Sequence, residues 1–172
     1  MTTIDVRTDA FADQDVIPQR YTRDGADVSP PLHWSGVPDG TGELLLICHD
    51  PDAPSGDFLH WLVTGIDPDC AGCDEGSVPR GGTEWPNGFG EVGYVGPAPP
   101  VGDPPHHYLF QVYALTDNLP LPDNPTAADV LAQIDGQPLA SGTLTGVYQR
   151  WPNTAGSHRP DQASEPPEAP EE

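Results

Sequence analysis

Two histidines and a tyrosine stand at the start of an apolar segment whose residue types are typical of a strand. In this segment, HHYLFQVY (106–113), aromatic and β-branched residues alternate with others. Because side chains alternate across a strand, His106 and Tyr108 share one face and His107 lies on the other. A protonated imidazole and a phenol can both donate hydrogen bonds to an anion. The pattern therefore predicts that His106 and Tyr108, rather than His107, enter a ligand site.

Two aspartates and a third histidine are predicted to reach the same place. The run ELLLICH (43–49) is almost entirely apolar, which is typical of a strand buried on both faces. Asp50 and Asp52 follow this run, and the next apolar segment carries His60. A carboxylate beside an imidazole favours the cationic ring, and Asp50 next to His60 would do so. With the backbone N–H groups of the loop 93–102, these groups could hold an anion.

Two other chemistries could use the same residues. Asp50 and His60 could be two members of a hydrolytic triad, but the sequence contains no G-x-S-x-G element around a nucleophile. His60, His106 and a carboxylate could bind a metal, but no H-E-x-x-H motif is present. The residues therefore favour a binding protein without catalysis, cofactor or resident metal. A hydrolase of small esters that uses Asp50 and His60 is the alternative.

The composition limits the class of protein and its partners. The 172 residues include 23 prolines and 19 glycines, which argue against long helices and favour a loop-rich β protein of one domain. There are 27 acidic and 6 basic side chains, all six of them arginine, for a net charge of -21. Such a surface repels nucleic acid and anionic membranes. The lysine-free composition is compatible with a base-composition bias or with adaptation to high salt.

The order of apolar and turn-forming residues predicts the elements. Prolines make 27–40 an extended covering loop, and the glycine-rich stretch 67–92 is either a functional loop or conceals a short strand. Thr126 is a plausible N-cap for a helix that Gly136 ends. The predicted elements are strands at 5–11, 43–49, 58–66, 106–115 and 140–149, the beginning of a strand at 16–18, and a helix at 126–136.

The two ends of the chain predict its boundaries and location. Residues 157–172 are rich in proline and acid and have almost nothing to bury, so we expect a disordered tail after a single domain spanning 1–156. The N-terminus lacks a basic leader with an apolar core, and no later run could span a bilayer. These features predict a cytoplasmic protein without stable membrane insertion.

The sequence does not decide the role of the three cysteines. Cys70 and Cys73 form a C-A-G-C sequence in a polar stretch, which could be redox-active, metal-binding or simply two thiols. Cys48 shares strand parity with Asp50 and is either a small apolar core residue or part of the site. An odd number of cysteines does not make the disulfide framework of a small secreted domain.

Taken together, these motifs resemble those of the phosphatidylethanolamine-binding protein family, in particular its bacterial and archaeal branch, the Raf kinase inhibitor-like proteins. The resemblance extends from about residue 11 to residue 150. It implies a mainly β fold: an antiparallel Greek-key β-sandwich with a large central sheet, a smaller sheet and one or two short peripheral helices. The matching motifs, in chain order, are DVSPPLHWSGVP, HDPDAP, GDFLHWLV, GYVGPAPPVGDPPHHYLFQVYAL and TGVYQR.

The resemblance also implies a function and a set of site residues. It implies a small pocket for phosphate or a phosphorylated headgroup, in a protein that could regulate a protein partner in a ligand-dependent way. Kinase inhibition belongs to certain relatives and does not follow from membership alone. The positions that correspond to the family's pocket are Asp50, Asp52, His60, Gly96, Pro100, His106 and Tyr108.

The sequence departs from the family pattern in three places. His107 stands where many relatives have arginine, which removes a cation beside the expected site. The acidic C-terminal segment has no counterpart of the helix that partly covers the pocket in animal relatives, so a more open pocket is expected. The C-A-G-C sequence that contains Cys70 and Cys73 is not part of the pattern.

Overall fold

The fold consists of two packed β-sheets with an α-helix at the periphery. A computed structural model describes residues 2–151. The elements within this part of the chain are the strands Thr2–Thr3 (β1), Asp5–Arg7 (β2), Asp15–Val16 (β3), Leu32–Ser35 (β4), Glu43–Asp50 (β5), Phe58–Ile66 (β6), Gly72–Cys73 (β7), Thr83–Glu84 (β8), His106–Leu115 (β9) and Ala140–Tyr148 (β10), the α-helix Ala127–Ile134 (α1) and a 3₁₀ turn at Gln19–Tyr21.

The large sheet has seven strands and a mixed arrangement. Its order is β1, β10, β9, β5, β6, β8, and β3 also pairs with β10. Among the long strands β10, β9, β5 and β6, each is antiparallel to its neighbour in the sheet. The short strands β1 and β3 instead run parallel to β10 and cover its outer edge, which would otherwise present unpaired backbone groups. The predicted two-sheet, mainly β architecture is confirmed, but the large sheet is not purely antiparallel. Greek-key connectivity stays a prediction.

The apolar run of β5 is buried on both faces, as predicted. Leu44 and Leu46 belong to a cluster that includes Trp34 of β4, so one face of the large sheet packs on the smaller sheet formed by β2, β4 and β7. Leu45 and Ile47 belong to a second cluster with residues of α1 on the opposite face. A central strand with both faces covered is a rigid base for the residues that follow it.

The helix begins at the predicted N-cap. The Thr126 hydroxyl accepts a hydrogen bond from the backbone N–H of Asp129 at 3.0 Å, and the Asp129 carboxylate accepts one from the N–H of Thr126 at 3.0 Å. This reciprocal capping box satisfies two N–H groups that the first helical turn leaves without partners. The last helical residue is Ile134, and Gly136 follows in a left-handed conformation with φ 78°.

The structure corrects one loop prediction and decides another. The stretch 27–40 was expected to be a covering loop, but its middle forms β4, in which Leu32 and Trp34 point into the core and alternate with exposed residues. This alternation is strong enough to extend a sheet despite the flanking prolines. The glycine-rich stretch 67–92 contains two short strands, β7 and β8. The prediction that it conceals a strand is therefore confirmed.

Two further predictions concern the chain ends and the membrane. Within residues 2–151, no helix is long and apolar enough to cross a bilayer. The predicted disordered tail 157–172 lies outside the described residues. The domain boundary near residue 156 likewise stays a prediction.

Candidate functional site

Three central strands bring the predicted site residues to one end of the large sheet. β5 ends at Asp50, which pairs with Phe58, the first residue of β6. β9 begins at His106 and runs antiparallel to β5, so its first residues lie beside the last residues of β5. The antiparallel register therefore gathers groups that are 56 residues apart in the sequence, Asp50 and His106, at one edge.

A β-bulge places His60 differently from simple alternation. Cys48 pairs with Trp61 but His49 pairs with Leu59, which leaves His60 as an extra residue in β6. Alternation predicts His60 and Leu62 on one face. In the structure Leu62 packs in the cluster with α1, whereas the His60 ring lies against Tyr108 on the other face, with centroids 5.1 Å apart. The bulge thus turns His60 towards the β9 residues.

Asp50 and His106 form the buried centre of the site. The Asp50 side chain is fully buried, and its Oδ2 atom accepts a 2.6 Å hydrogen bond from Nδ1 of His106. Oδ1 of Asp50 accepts a second hydrogen bond, at 2.8 Å, from the backbone N–H of Asp52. Nε2 of His106 faces Oδ2 of Asp103 at 3.0 Å. Because both ring nitrogens face carboxylates, a protonated ring satisfies both contacts as a donor.

The ring of His60 is held by the loop before β9. Its Nδ1–H donates to the carbonyl oxygen of Val95 at 2.6 Å, while the N–H of Val95 donates to the carbonyl of His60 at 2.9 Å. The ring also contacts Phe58, with centroids 4.9 Å apart. We refer to Asp50, His60, His106 and Tyr108 as the histidine cluster. All four residues are buried, and His106 stacks on Tyr108.

Asp52 lies beside His107, on the outer side of the sheet. Its Oδ2 atom accepts hydrogen bonds from the backbone N–H of His107 at 2.9 Å and from the ring Nδ1 at 2.7 Å. Partial burial would raise the pKa of Asp52, but these two hydrogen bonds outweigh it and hold the pKa below its ordinary value. The backbone of Asp52, rather than its carboxylate, connects it to the histidine cluster through Asp50.

Gly96 and Pro100, two of the pocket positions that the resemblance implies, are held by contacts that the sequence did not suggest. The N–H of Gly96 donates to Oδ1 of Asp27 at 2.7 Å. A Cβ atom at Gly96 would meet the carbonyl oxygen of Tyr21 and lie 2.8 Å from Cα of Thr22, so only glycine allows this approach. Pro100 is half-buried, and its carbonyl accepts a hydrogen bond from the N–H of Asp103 at 3.2 Å.

The sequence indicates a turn at 20–25 but gives no sign that the loop 22–27 lies beside the site. Asp27 has φ 59°, a left-handed value that aspartate and asparagine tolerate better than most residues. Desolvation raises the pKa of Asp27 above its ordinary value, although the hydrogen bond from Gly96 and the charge of Arg23 oppose the shift. Arg23 lies 3.6 Å from Oδ2 of Asp27. The scarcity of basic residues in so acidic a chain was the one signal that could have drawn attention to Arg23.

Neither metal nor thiol chemistry gains support from the described residues. Residues 2–151 contain no group of three or more His, Cys, Asp or Glu side chains arranged to hold a metal ion. Burial raises the pKa of the Cys73 thiol to about 11, so the reactive thiolate is scarce at neutral pH. Cys70 is buried and its S–H donates to the carbonyl of Gly72 at 3.1 Å. Cys48 belongs to the core.

Comparison with known proteins shows the family and the fold to which this chain is similar. The family model for phosphatidylethanolamine-binding protein matches residues 7–149. The chain is 43% identical over 152 residues to a UPF0098 protein of Methanothermobacter thermautotrophicus, covering 86% of this chain and 99% of that one. It is 40% identical over 152 residues to a UPF0098 protein of Aquifex aeolicus, covering 86% and 89%. The crystal structure of Escherichia coli YbcL, described as a new member of the mammalian PEBP family, has a TM-score of 0.78 at 30% identity and covers 86% of this chain and 99% of its own.

Proposed function

Since the chain belongs to the phosphatidylethanolamine-binding protein family, we propose that its histidine cluster binds a small anion, phosphate or a phosphorylated headgroup, without chemical turnover. The observation that carries the proposal is the convergence of His60, His106 and Tyr108 on one buried spot, from strands separated in sequence. Two imidazoles and a phenol supply donors that suit a phosphate oxygen. Asp50 supports the cationic form of His106 through their hydrogen bond.

Two resident carboxylates compete with such an anion. Asp103 accepts from Nε2 of His106, and Asp27 accepts from the N–H of Gly96. Asp103 is the easier of the two to displace, because its side chain is about one-third exposed and it lies in the loop before β9. Charge-assisted hydrogen bonds contribute roughly 1.5–3 kcal/mol each, and displacement subtracts from that gain. We therefore expect an affinity for inorganic phosphate on the order of millimolar.

The proposal extends to the protein's role in the cell. An anion site in a domain without turnover suits a protein whose contacts with a partner protein depend on the bound ligand. The acidic surface favours a protein partner over nucleic acid, which the charge repels. A cytoplasmic location is part of the same proposal.

The rival function is hydrolysis of small esters with Asp50 and His60. His60 donates from Nδ1 to a backbone carbonyl, and the Asp50 carboxylate accepts from His106. In a triad the carboxylate orients the base through the ring nitrogen that here donates to Val95. These contacts favour binding over nucleophilic catalysis.

Calorimetry with inorganic phosphate tests the proposed function. Wild-type protein is expected to bind phosphate saturably. His60→Ala is expected to weaken binding by about 10-fold or more, because it removes one charge-assisted donor. His107→Ala is the matched control, since this ring pairs with Asp52 on the outer side of the sheet.

Two results would contradict the proposal. One is the absence of phosphate binding by wild-type protein at any salt concentration. The other is turnover of p-nitrophenyl phosphate or a carboxylate ester that disappears in His60→Ala, which would favour the hydrolase.

A further inference from the structure

Arg23 lies on the loop 22–27 and is packed beside the loop that leads into β9. Its backbone N–H donates to the carbonyl of Pro97 at 3.0 Å. Its side chain is only 19% exposed, and the guanidinium carbon lies 5.4 Å from the centre of the Phe89 ring. Such a cation–π contact holds an arginine in place while leaving its N–H groups available for other partners.

A row of aromatic rings connects Arg23 to the histidine cluster. The Phe89 ring lies 5.0 Å from that of Phe58, which in turn lies 4.9 Å from that of His60. Arg23 therefore stands at the outer end of an apolar wall whose inner end is His60. Asp27, the ion-pair partner of Arg23, also interacts electrostatically with the ring of His60, so a small ligand at the histidine cluster can extend towards the guanidinium.

Arg23 differs from the other arginines in how weakly it is paired. Within residues 2–151 its guanidinium makes no hydrogen bond, and its one ion pair, with Asp27, has a distance of 3.6 Å. Oδ1 of Asp27 accepts from Gly96 instead. The other four arginines of this part of the chain each have a carboxylate oxygen at 2.6–3.3 Å: Arg7 with Asp5, Arg20 with Glu75, Arg80 with Asp67 and Arg150 with Asp24.

A largely shielded guanidinium with unused donors indicates a binding group. No nitrogen of Arg23 is among the buried side-chain atoms of residues 2–151 that have no hydrogen-bond partner, so its unused N–H groups are open to solvent and to a ligand. In a chain with 27 acidic and 6 basic side chains, carboxylates to pair with are abundant. The weak pairing of Arg23 is therefore a feature of this location rather than a shortage of anions.

We propose that Arg23 binds a second anionic group of the ligand, so that the site selects phosphate esters that also carry a carboxylate or another phosphate. This inference rests on the proposed function, because the first phosphate is taken to lie at the histidine cluster. The ligand's distal anion replaces Asp27 as the partner of Arg23. The guanidinium presents two parallel N–H groups, which match a carboxylate or phosphate edge.

A matched pair of phosphate esters tests this selectivity. Glycerol 3-phosphate and 3-phosphoglycerate differ in that a carboxylate replaces a hydroxymethyl group. Calorimetry on wild-type protein should give tighter binding of 3-phosphoglycerate by about 10-fold, the effect of one charge-assisted contact. Arg23→Gln should bring the ratio of the two affinities close to one while glycerol 3-phosphate still binds, which also shows that the variant is folded.

Arg20→Gln is the control for net charge. It removes the same charge three residues away, from a side chain that binds Glu75 through two hydrogen bonds at 2.8 and 2.6 Å, and should preserve the preference. Equal affinities in the wild type, an unchanged ratio in Arg23→Gln, or an equal loss in Arg20→Gln would overturn the inference. If wild-type protein binds glycerol 3-phosphate but one of these three results is found, the proposed anion binding at the histidine cluster stands and only the role of Arg23 is wrong. Failure of wild-type protein to bind either ester would overturn both.

Discussion

Asp50→Ala is expected to lower the free energy of unfolding by roughly 3–5 kcal/mol and to abolish phosphate binding. Asp50 is fully buried and accepts hydrogen bonds from the ring of His106 and from the N–H of Asp52. Its removal takes the acceptor from the buried ring of His106 and from the partly buried N–H of Asp52, and takes away the carboxylate that favours protonated His106. Urea denaturation and phosphate calorimetry measure the two effects.

Asp57→Ala is the matched control for this variant. Asp57 also pairs with a buried histidine, accepting from Nδ1 of His49 at 2.7 Å, but the other partner of His49 is Gln111, which in β9 has the strand parity of His107 rather than of His106 and Tyr108. Asp57→Ala should therefore lower stability and leave phosphate affinity within about 2-fold of the wild type. If Asp50→Ala unfolds no more easily than the wild type, or still binds phosphate normally, the described role of Asp50 is wrong.

Gly96→Ala is expected to lower the free energy of unfolding by roughly 1–3 kcal/mol and to weaken binding of both phosphate esters. The added methyl group would collide with the backbone of Tyr21 and Thr22, so the loops 22–27 and 93–102 would have to move apart. This movement disturbs the hydrogen bond from Gly96 to Asp27 and, through Val95, the support of His60. Denaturation and calorimetry again provide the measurements.

Gly102→Ala is the comparison within the same loop. Gly102 has φ 90° but nothing lies within 4 Å of an added Cβ atom, so the substitution strains the backbone without displacing a neighbour. We expect a cost of about 1 kcal/mol and little effect on binding. Equal effects of the two substitutions would mean that close packing of the two loops is not what supports the site.

The strands could be predicted because their signals are local. The apolar run before Asp50 and the alternation after His106 determine β5 and β9, with β9 beginning and ending at the predicted residues. The same alternation placed His106 and Tyr108 inside and His107 outside, as the burial of β9 confirms. The two-residue alternation of strand side chains, however, carries no information about a β-bulge. Alternation therefore predicted His60 and Leu62 on one face of β6, whereas the bulge places them on opposite faces.

The supporting contacts of the site could not be predicted because they are tertiary. Asp27 precedes Gly96 by 69 residues, and nothing in the periodicity near either one indicates their hydrogen bond. The partner of Asp50 is another such case: sequence order suggested His60, whereas the register of β5 and β9 brings His106 to it. The family resemblance supplied the site positions, but neither Arg23 nor Asp103 was among them.

Histidine-ring NMR during a phosphate titration tests the central claim most directly. The claim is that phosphate binds at His60 and His106, and the ring nitrogens report contact and protonation at each site separately. We predict saturable shifts of the His60 and His106 ring signals on addition of inorganic phosphate, with those of His49 and His107, which pair with Asp57 and Asp52, unchanged. Absence of any shift at both His60 and His106, or equal shifts at all four rings, would contradict the account.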